Sequence, residues 1–308
     1  SNVESIDTTN FTTNGVTSMY SMFKGTVKLK NLDVSKFNMN QVNSTATMFF
    51  NTGVTELDLS AWTTPALTST VGMFEDAMKL TKLNISGLNT EKVDNMRSMF
   101  KNVYSLEALD VSTLNTGKVL NMDMMFSQMR ALKTLDLRNF DTRNVRTMRS
   151  MFEESVNLTA LNVGSFNTAN VTDMSNMFKD LYSLRQLDVS RFNTSNVQFM
   201  GGMFESMHLS SNFDLSNFDT SNVVTMANMF FKVGNLKTTM INNLNTSNVR
   251  DFTQMFSGLV GVEDLDISNF DMSKATKVSS MFSFGDDLTE LNLGVRKVPS
   301  GSITNQGV

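Results

Sequence analysis

Acidic side chains recur between core residues along this chain. Asp33, Asp58, Asp110, Asp136, Asp188, Asp214 and Asp266 each stand between two apolar residues, as in Leu-Asp-Leu at 135–137. Asp7, Asn84, Asn162, Asn292 and, out of character, Met240 fill the same position elsewhere. Such a row has four uses: acid–base pairs, cation ligation, an anionic ligand-facing surface, or hydrogen bonding to the local backbone. Glycosidase chemistry needs two carboxyls whose environments push their pKa values apart. Neighbours such as Asp110 and Asp136 sit in repeated, similar environments, which is the wrong design. Calcium prefers six to eight clustered oxygens, and single carboxylates stacked one above another do not cluster them. Bonding to backbone or hydroxyl groups at a strand-to-turn junction, often to Ser two residues on (Ser35, Ser60, Ser112, Ser190), suits short polar side chains. That capping role leads, and the ligand-facing role stays open beside it.

No other residue set offers chemistry. His208 is the only histidine, and its position in other repeats holds Tyr104, Arg130, Val156 and Tyr182, which share no function. The chain has no cysteine, which excludes disulfides, thiolate metal sites and cysteine nucleophiles. No G-x-S-x-G, H-E-x-x-H, P-loop or Rossmann glycine pattern occurs. An enzyme is therefore not expected, nor a cofactor, nor a metal. A net charge of -4 argues against nucleic acid. No apolar run approaches the ~20 residues of a membrane-spanning helix, so no membrane insertion is expected. The opening SNVESIDTTN lacks the basic and apolar regions of a signal peptide, which fits a mature fragment of a longer protein.

The elements that must position the acids come from one unit, copied. Met-Phe pairs end at Phe23, Phe49, Phe74, Phe100, Phe126, Phe152, Phe178, Phe204, Phe230, Phe256 and Phe282, at intervals of 26 with a single 25. This fixed period marks a stacked-repeat architecture. Most of the 25 methionines fall in two columns of that repeat, so they are packing choices rather than a metal site. The unit reads L-x-x-L-[DN]-[VLI]-S-x-F-[ND]-T-x-x-V-x-x-M-x-x-M-F. Its first half, as in Leu132, Leu135 and Leu137, suits a short strand with the acid pointing out. Its second half, as in Val145, Met148, Met151 and Phe152, has the i, i+3, i+6, i+7 spacing of one helical face, with the preceding Asp-Thr-Arg-Asn as candidate caps. One strand and one helix cannot enclose a core alone, but stacked units can. The 25-residue interval places its deletion in the connection after Phe49, and Trp62 takes a core column otherwise filled by Phe or Leu.

The run LDVSRFNTSNVQFMGGMF at 187–204 closely resembles the DUF285 repeat of BspA-like leucine-rich-repeat surface proteins of bacteria. The likeness extends over about residues 5–294. It departs in one column: where many members carry Cys three residues after the Phe, this chain has Thr26, Ala77, Val103, Met129 and similar residues. The resemblance implies an α/β solenoid. That would be a leucine-rich-repeat-like arc of about eleven 26-residue units, with short parallel strands on the concave face and helical segments on the convex face. Residues 1–294 form one solenoid on this reading, and 295–308 form a tail, a linker or the start of a further segment.

The resemblance also implies an extracellular, cell-surface binding module that contacts host or matrix protein or glycan. A spacer arm presenting another domain away from the cell wall is the alternative. Candidate ligand-binding residues are the exposed acids Asp33, Asp58, Asp110, Asp136, Asp188, Asp214 and Asp266. The irregular units around Phe213, Thr239 and Met240 are further candidates, because repeat proteins often place function where the pattern bends. The second and third strand positions carry no aromatic residue, which counts against an adhesive hot spot there.

Overall fold

The computed structural model describes residues 1–283 and 287–294. The chain winds as a stack of coils, each lying on the previous one in register. Strands are three residues long: β1 Glu56–Asp58, β2 Lys82–Asn84, β3 Thr134–Asp136, β4 Ala160–Asn162, β5 Asp264–Asp266 and β6 Glu290–Asn292. They pair in parallel as β1–β2, β3–β4 and β5–β6, with Leu135 opposite Leu161 and Asp136 opposite Asn162. The central Leu of each strand turns inward and its two neighbours turn out, as alternation in a strand requires.

The expected helical half of each unit is not helical. Among the described residues the only α-helix is α1, Thr238–Ile241, and it lies on the strand side. Where a helix was expected, a second parallel ladder runs from Ser18–Ser44 through Asn121–Thr147 to Asp251–Lys277. The backbone donors of one coil show why. The N–H groups of Met122, Met124, Phe126 and Gln128 cross to the carbonyls of Thr147, Arg149, Met151 and Glu153 in the next coil. Those of Met125 and Ser127 bond three residues back within their own coil. An α-helix would keep every donor inside the segment and every φ negative. Here the residue before each Met-Phe pair, from Ser21 to Ser280, has φ between 51 and 64°. A free helix of two turns would be marginal in any case. A neighbouring coil about 4.8 Å away offers carbonyls already in register. The apolar spacing chose the inward side chains correctly and the hydrogen-bonding scheme wrongly.

The core runs the length of the stack. Successive Phe rings of the Met-Phe column lie 5.6–6.3 Å apart with planes within 14° of parallel. This is the offset stacking that aromatic rings prefer. Trp62 is buried beside Phe49, and its indole N–H donates to the carbonyl of Val34 at 2.9 Å. The shortened connection after Phe49 presses Gly53 onto the preceding coil. A Cβ there would lie 2.3 Å from the carbonyl oxygen of Val27, so only glycine fits.

The threonines read as helix caps do something else. Thr90, Thr116, Thr142, Thr168 and Thr220 are buried, and each hydroxyl both donates to and accepts from one backbone residue of the next coil. Thr168, for instance, donates to the Asn193 carbonyl at 2.9 Å and accepts the Asn193 N–H at 2.8 Å. These are staples between coils. The tail at 295–308 lies outside the described residues.

Candidate functional site

The acidic row lies on the strand side, and its geometry follows from the turn that ends each strand. Asp33, Asp58, Asp110, Asp188, Asp214 and Asp266 each accept the N–H of the Ser two residues on through one carboxylate oxygen, at 2.8–2.9 Å. Asp136 accepts the N–H of Arg138 at 3.1 Å. Asn84, Asn162 and Asn292 make the same bond with their amide oxygens. The turn needs only a short side chain with an acceptor oxygen, which is why Asn interrupts the row without breaking it.

These bonds set the electrostatics. At Asp33, Asp110, Asp188, Asp214 and Asp266 the Ser hydroxyl, and then the Ser N–H, hold the carboxyl below its ordinary range. At Asp58 the same two partners act in the reverse order. The guanidinium of Arg138 grips both oxygens of Asp136 at 2.6–3.0 Å and brings its pKa down to about 2. Every member of the row therefore stays ionised at neutral pH, unlike an acid–base pair. The lysines of the strand side do not neutralise the row. Lys82 pairs with Glu56 and Lys133 with Glu107, one coil apart and exposed. Exposed pairs of this kind contribute little to stability.

The structure brings some of the candidate residues together and separates others. Asp136, Asn162, Asp188 and Asp214 line one shallow groove along the strand side, with Arg138 and Gln186. Asp33 and Asp58 line a second groove, and Asp110 a third that also reaches Asp136. Asp266 stands apart, its carboxylate accepting from the side-chain amide of Asn292 at 3.1 Å.

The irregular units are rearranged inward. Phe213 is buried and packs edge-on against Phe204, 5.2 Å between centroids. Met240 does not project from the sheet as its column predicts. Helix α1 turns it into the core beside Ile241 and leaves Thr239 exposed. The lateral pairing moves elsewhere in these coils, to His208, Gly234 and Val260. With no acceptor side chain at 240, no Asx turn forms, and a helical turn takes its place. Phe213 and Met240 therefore offer packing rather than an exposed surface.

Two sets of residues escaped the sequence reading. The Thr staples carried a signal, since Thr recurs one residue after the [ND] of the repeat. The left-handed positions carried one too, since Gly, Asn and Ser fill most of that column.

Comparison with known proteins gives the geometry a setting. The model of the family described as "Mycoplasma protein of unknown function, DUF285" matches residues 1–108, 68–160, 121–213 and 207–300. No curated protein matches the chain. Among solved structures, a leucine-rich repeat protein from Bacteroides ovatus is similar over 89% of this chain and 77% of its own, at 13% identity and a TM-score of 0.22. The functional domain of InlJ from Listeria monocytogenes, which includes a cysteine ladder, is similar over 87% of this chain and 58% of its own. There the identity is 16% and the TM-score 0.20.

Proposed function

The chain belongs to the DUF285 family of BspA-like leucine-rich-repeat proteins, and on that premise we propose that it is a non-catalytic binding module of a bacterial surface protein. Its strand side is the contact surface, and its ligand is a host or matrix protein or glycan. The observation that carries this reading is the contrast between what the repeat holds constant and what it varies. Beneath the sheet the same Leu, Val, Met and Phe recur in coil after coil. On the open face the third strand position runs Asn31, Glu56, Lys82, Ala108, Thr134, Ala160, Gln186, Asn212. A regular frame with a varied face is what a recognition surface requires, because specificity resides in the few side chains that differ. The Asp and Asn side chains beside that position fix its turns, and the Asp among them give the face negative charge.

The second reading, a spacer arm, draws support from a different feature. The varied face carries no aromatic side chain at its second and third positions, and the continuous Phe stack makes a regular, stiff frame. Presenting the protein to arrays of mucins, matrix proteins and glycans separates the two. Saturable binding that weakens when Gln186 and Arg138 are changed together supports the binding module. Absence of any ligand, with flanking segments of the full protein binding normally, supports the spacer.

A further inference from the structure

The turn from Thr13 to Val16 in the first coil differs from its counterparts in the later coils. Its two central residues are Asn14 and Gly15, the sole Asn-Gly pair in the 308 residues. The Val16 N–H closes the turn on the Thr13 carbonyl at 3.1 Å, much as Val145 closes on Thr142 at 3.0 Å. Gly15 holds φ at 80°, whereas no residue of its column from Gln41 to Lys274 is left-handed. Asn14 and Gly15 are both exposed, and a Cβ added at Gly15 would meet nothing within 4 Å.

Hydrogen bonds distinguish the two ends of the Asn14 side chain. The Asn38 side-chain oxygen accepts the Asn40 N–H at 3.1 Å, which leaves the Asn38 NH2 group as a donor. That NH2 donates to Asn14 Oδ1 at 2.9 Å. A donor on this oxygen draws electron density from Cγ and stabilises the negative charge that an attack on Cγ would put there. The Asn14 NH2 group, the leaving group of such an attack, has no acceptor among the described residues. The Gly15 backbone N–H has none either, so nothing holds its proton in place.

We propose that Asn14 is a site of spontaneous covalent modification in the folded protein, converting to aspartate and isoaspartate. Hydroxide takes the Gly15 amide proton, and the freed nitrogen attacks Asn14 Cγ. A new Cγ–N bond forms, the Cγ–Nδ2 bond breaks, and ammonia leaves with a proton taken from water. Water then opens the cyclic imide. Attack at Cγ returns the ordinary backbone with aspartate at 14, and attack at the backbone carbonyl carbon leaves isoaspartate. The 14–15 peptide must rotate toward the side chain, which a glycine in open space permits. Elsewhere the geometry is less favourable: Asn89, Asn115, Asn167, Asn193 and Asn245 each precede a buried, β-branched Thr. Isoaspartate lengthens the main chain beside a staple, since the Thr13 hydroxyl donates to the Asn38 carbonyl at 3.1 Å and accepts its N–H at 2.6 Å. The contact between the first two coils therefore loosens as the protein ages.

Folded protein held in mildly alkaline buffer, then digested and mapped by mass spectrometry, tests this directly. The expected result is exchange of NH2 for OH at residue 14 ahead of every other asparagine, with isoaspartate detected there. The rate should rise with hydroxide concentration. Gly15→Ala slows the change about tenfold, because the peptide rotates less freely. Asn14→Gln, whose longer side chain closes a less favourable ring, shows no change at 14 over the same incubation. Hydrogen exchange at the Asn38 N–H should quicken in the aged wild type and not in Asn14→Gln. The proposal is overturned if Asn14 stays intact in the folded protein while it reacts in urea, because the turn then shields it. Prior reaction at another asparagine also overturns it, as does a rate indifferent to Gly15→Ala.

Discussion

Replacing the Thr168 hydroxyl tests how much of the stack's cohesion comes from staples and how much from the apolar column. Thr168→Val keeps the shape of a buried side chain that is 1% exposed. It deletes two hydrogen bonds to Asn193 at once, one donated at 2.9 Å and one accepted at 2.8 Å. Each backbone group left without a partner costs about 1–3 kcal/mol when buried. The Asn193 side is only partly buried, so water recovers some of that, and about 2–4 kcal/mol is expected for the pair. Thr168→Ser removes a methyl and keeps both bonds, for a cost near 0.8 kcal/mol. Equilibrium unfolding in urea, followed by far-UV circular dichroism with wild type and both variants in parallel, reads the difference. In a stacked array the lost contact falls between two neighbouring coils. Hydrogen exchange should therefore show weakened protection concentrated near 168 and 193. Equal stability of the valine and serine variants would refute the staple, leaving cohesion to the Phe and Met columns.

Three other outcomes follow from the same structure. The Asp column has depressed folded-state pKa values, so its contribution is present above the unfolded value of 3.8 and is lost as pH falls through the folded values, down to about 2 at Asp136. Stability measured against pH should therefore drop below pH 3.8, and Asp136→Asn should flatten part of that slope, being less stable than wild type at neutral pH and converging with it in acid. Gln128 holds φ at 60°. Gln128→Val should cost about 1–2 kcal/mol, and Gln128→Gly should be neutral or stabilising, as checked by chemical denaturation. Gly53→Ala forces a methyl group against the Val27 carbonyl. It should destabilise by about 2 kcal/mol or more, with exchange protection lost around 27 and 53; a variant as stable as wild type would show that the coil has room to shift.

The turn-capping role of the acidic column was legible in the sequence. Leu-Asp-x-Ser, with an apolar x, states the arrangement by itself: alternation sends the acid outward, and Ser two places on supplies the turn. Asp33, Asp58, Asp110, Asp188, Asp214 and Asp266 all bond as that pattern implies. Met240 was misplaced because column position was taken to fix its direction. A strand position keeps its direction only while the strand persists, and α1 replaced it there.

The sequence determined the period, the inward residues and the short strands, because burial of a repeating apolar set permits no other register. Tertiary structure decided what the second half of each unit became. The spacing of Val145, Met148, Met151 and Phe152 specifies which side chains go inside and says nothing about where backbone donors go. That choice depends on whether a neighbouring coil presents its carbonyls at bonding distance. In this stack it does, at Arg149, Met151 and Glu153 for the coil before. A helix satisfies its donors alone, whereas these coils satisfy theirs only in company, and that is a property of the stack rather than of any one repeat.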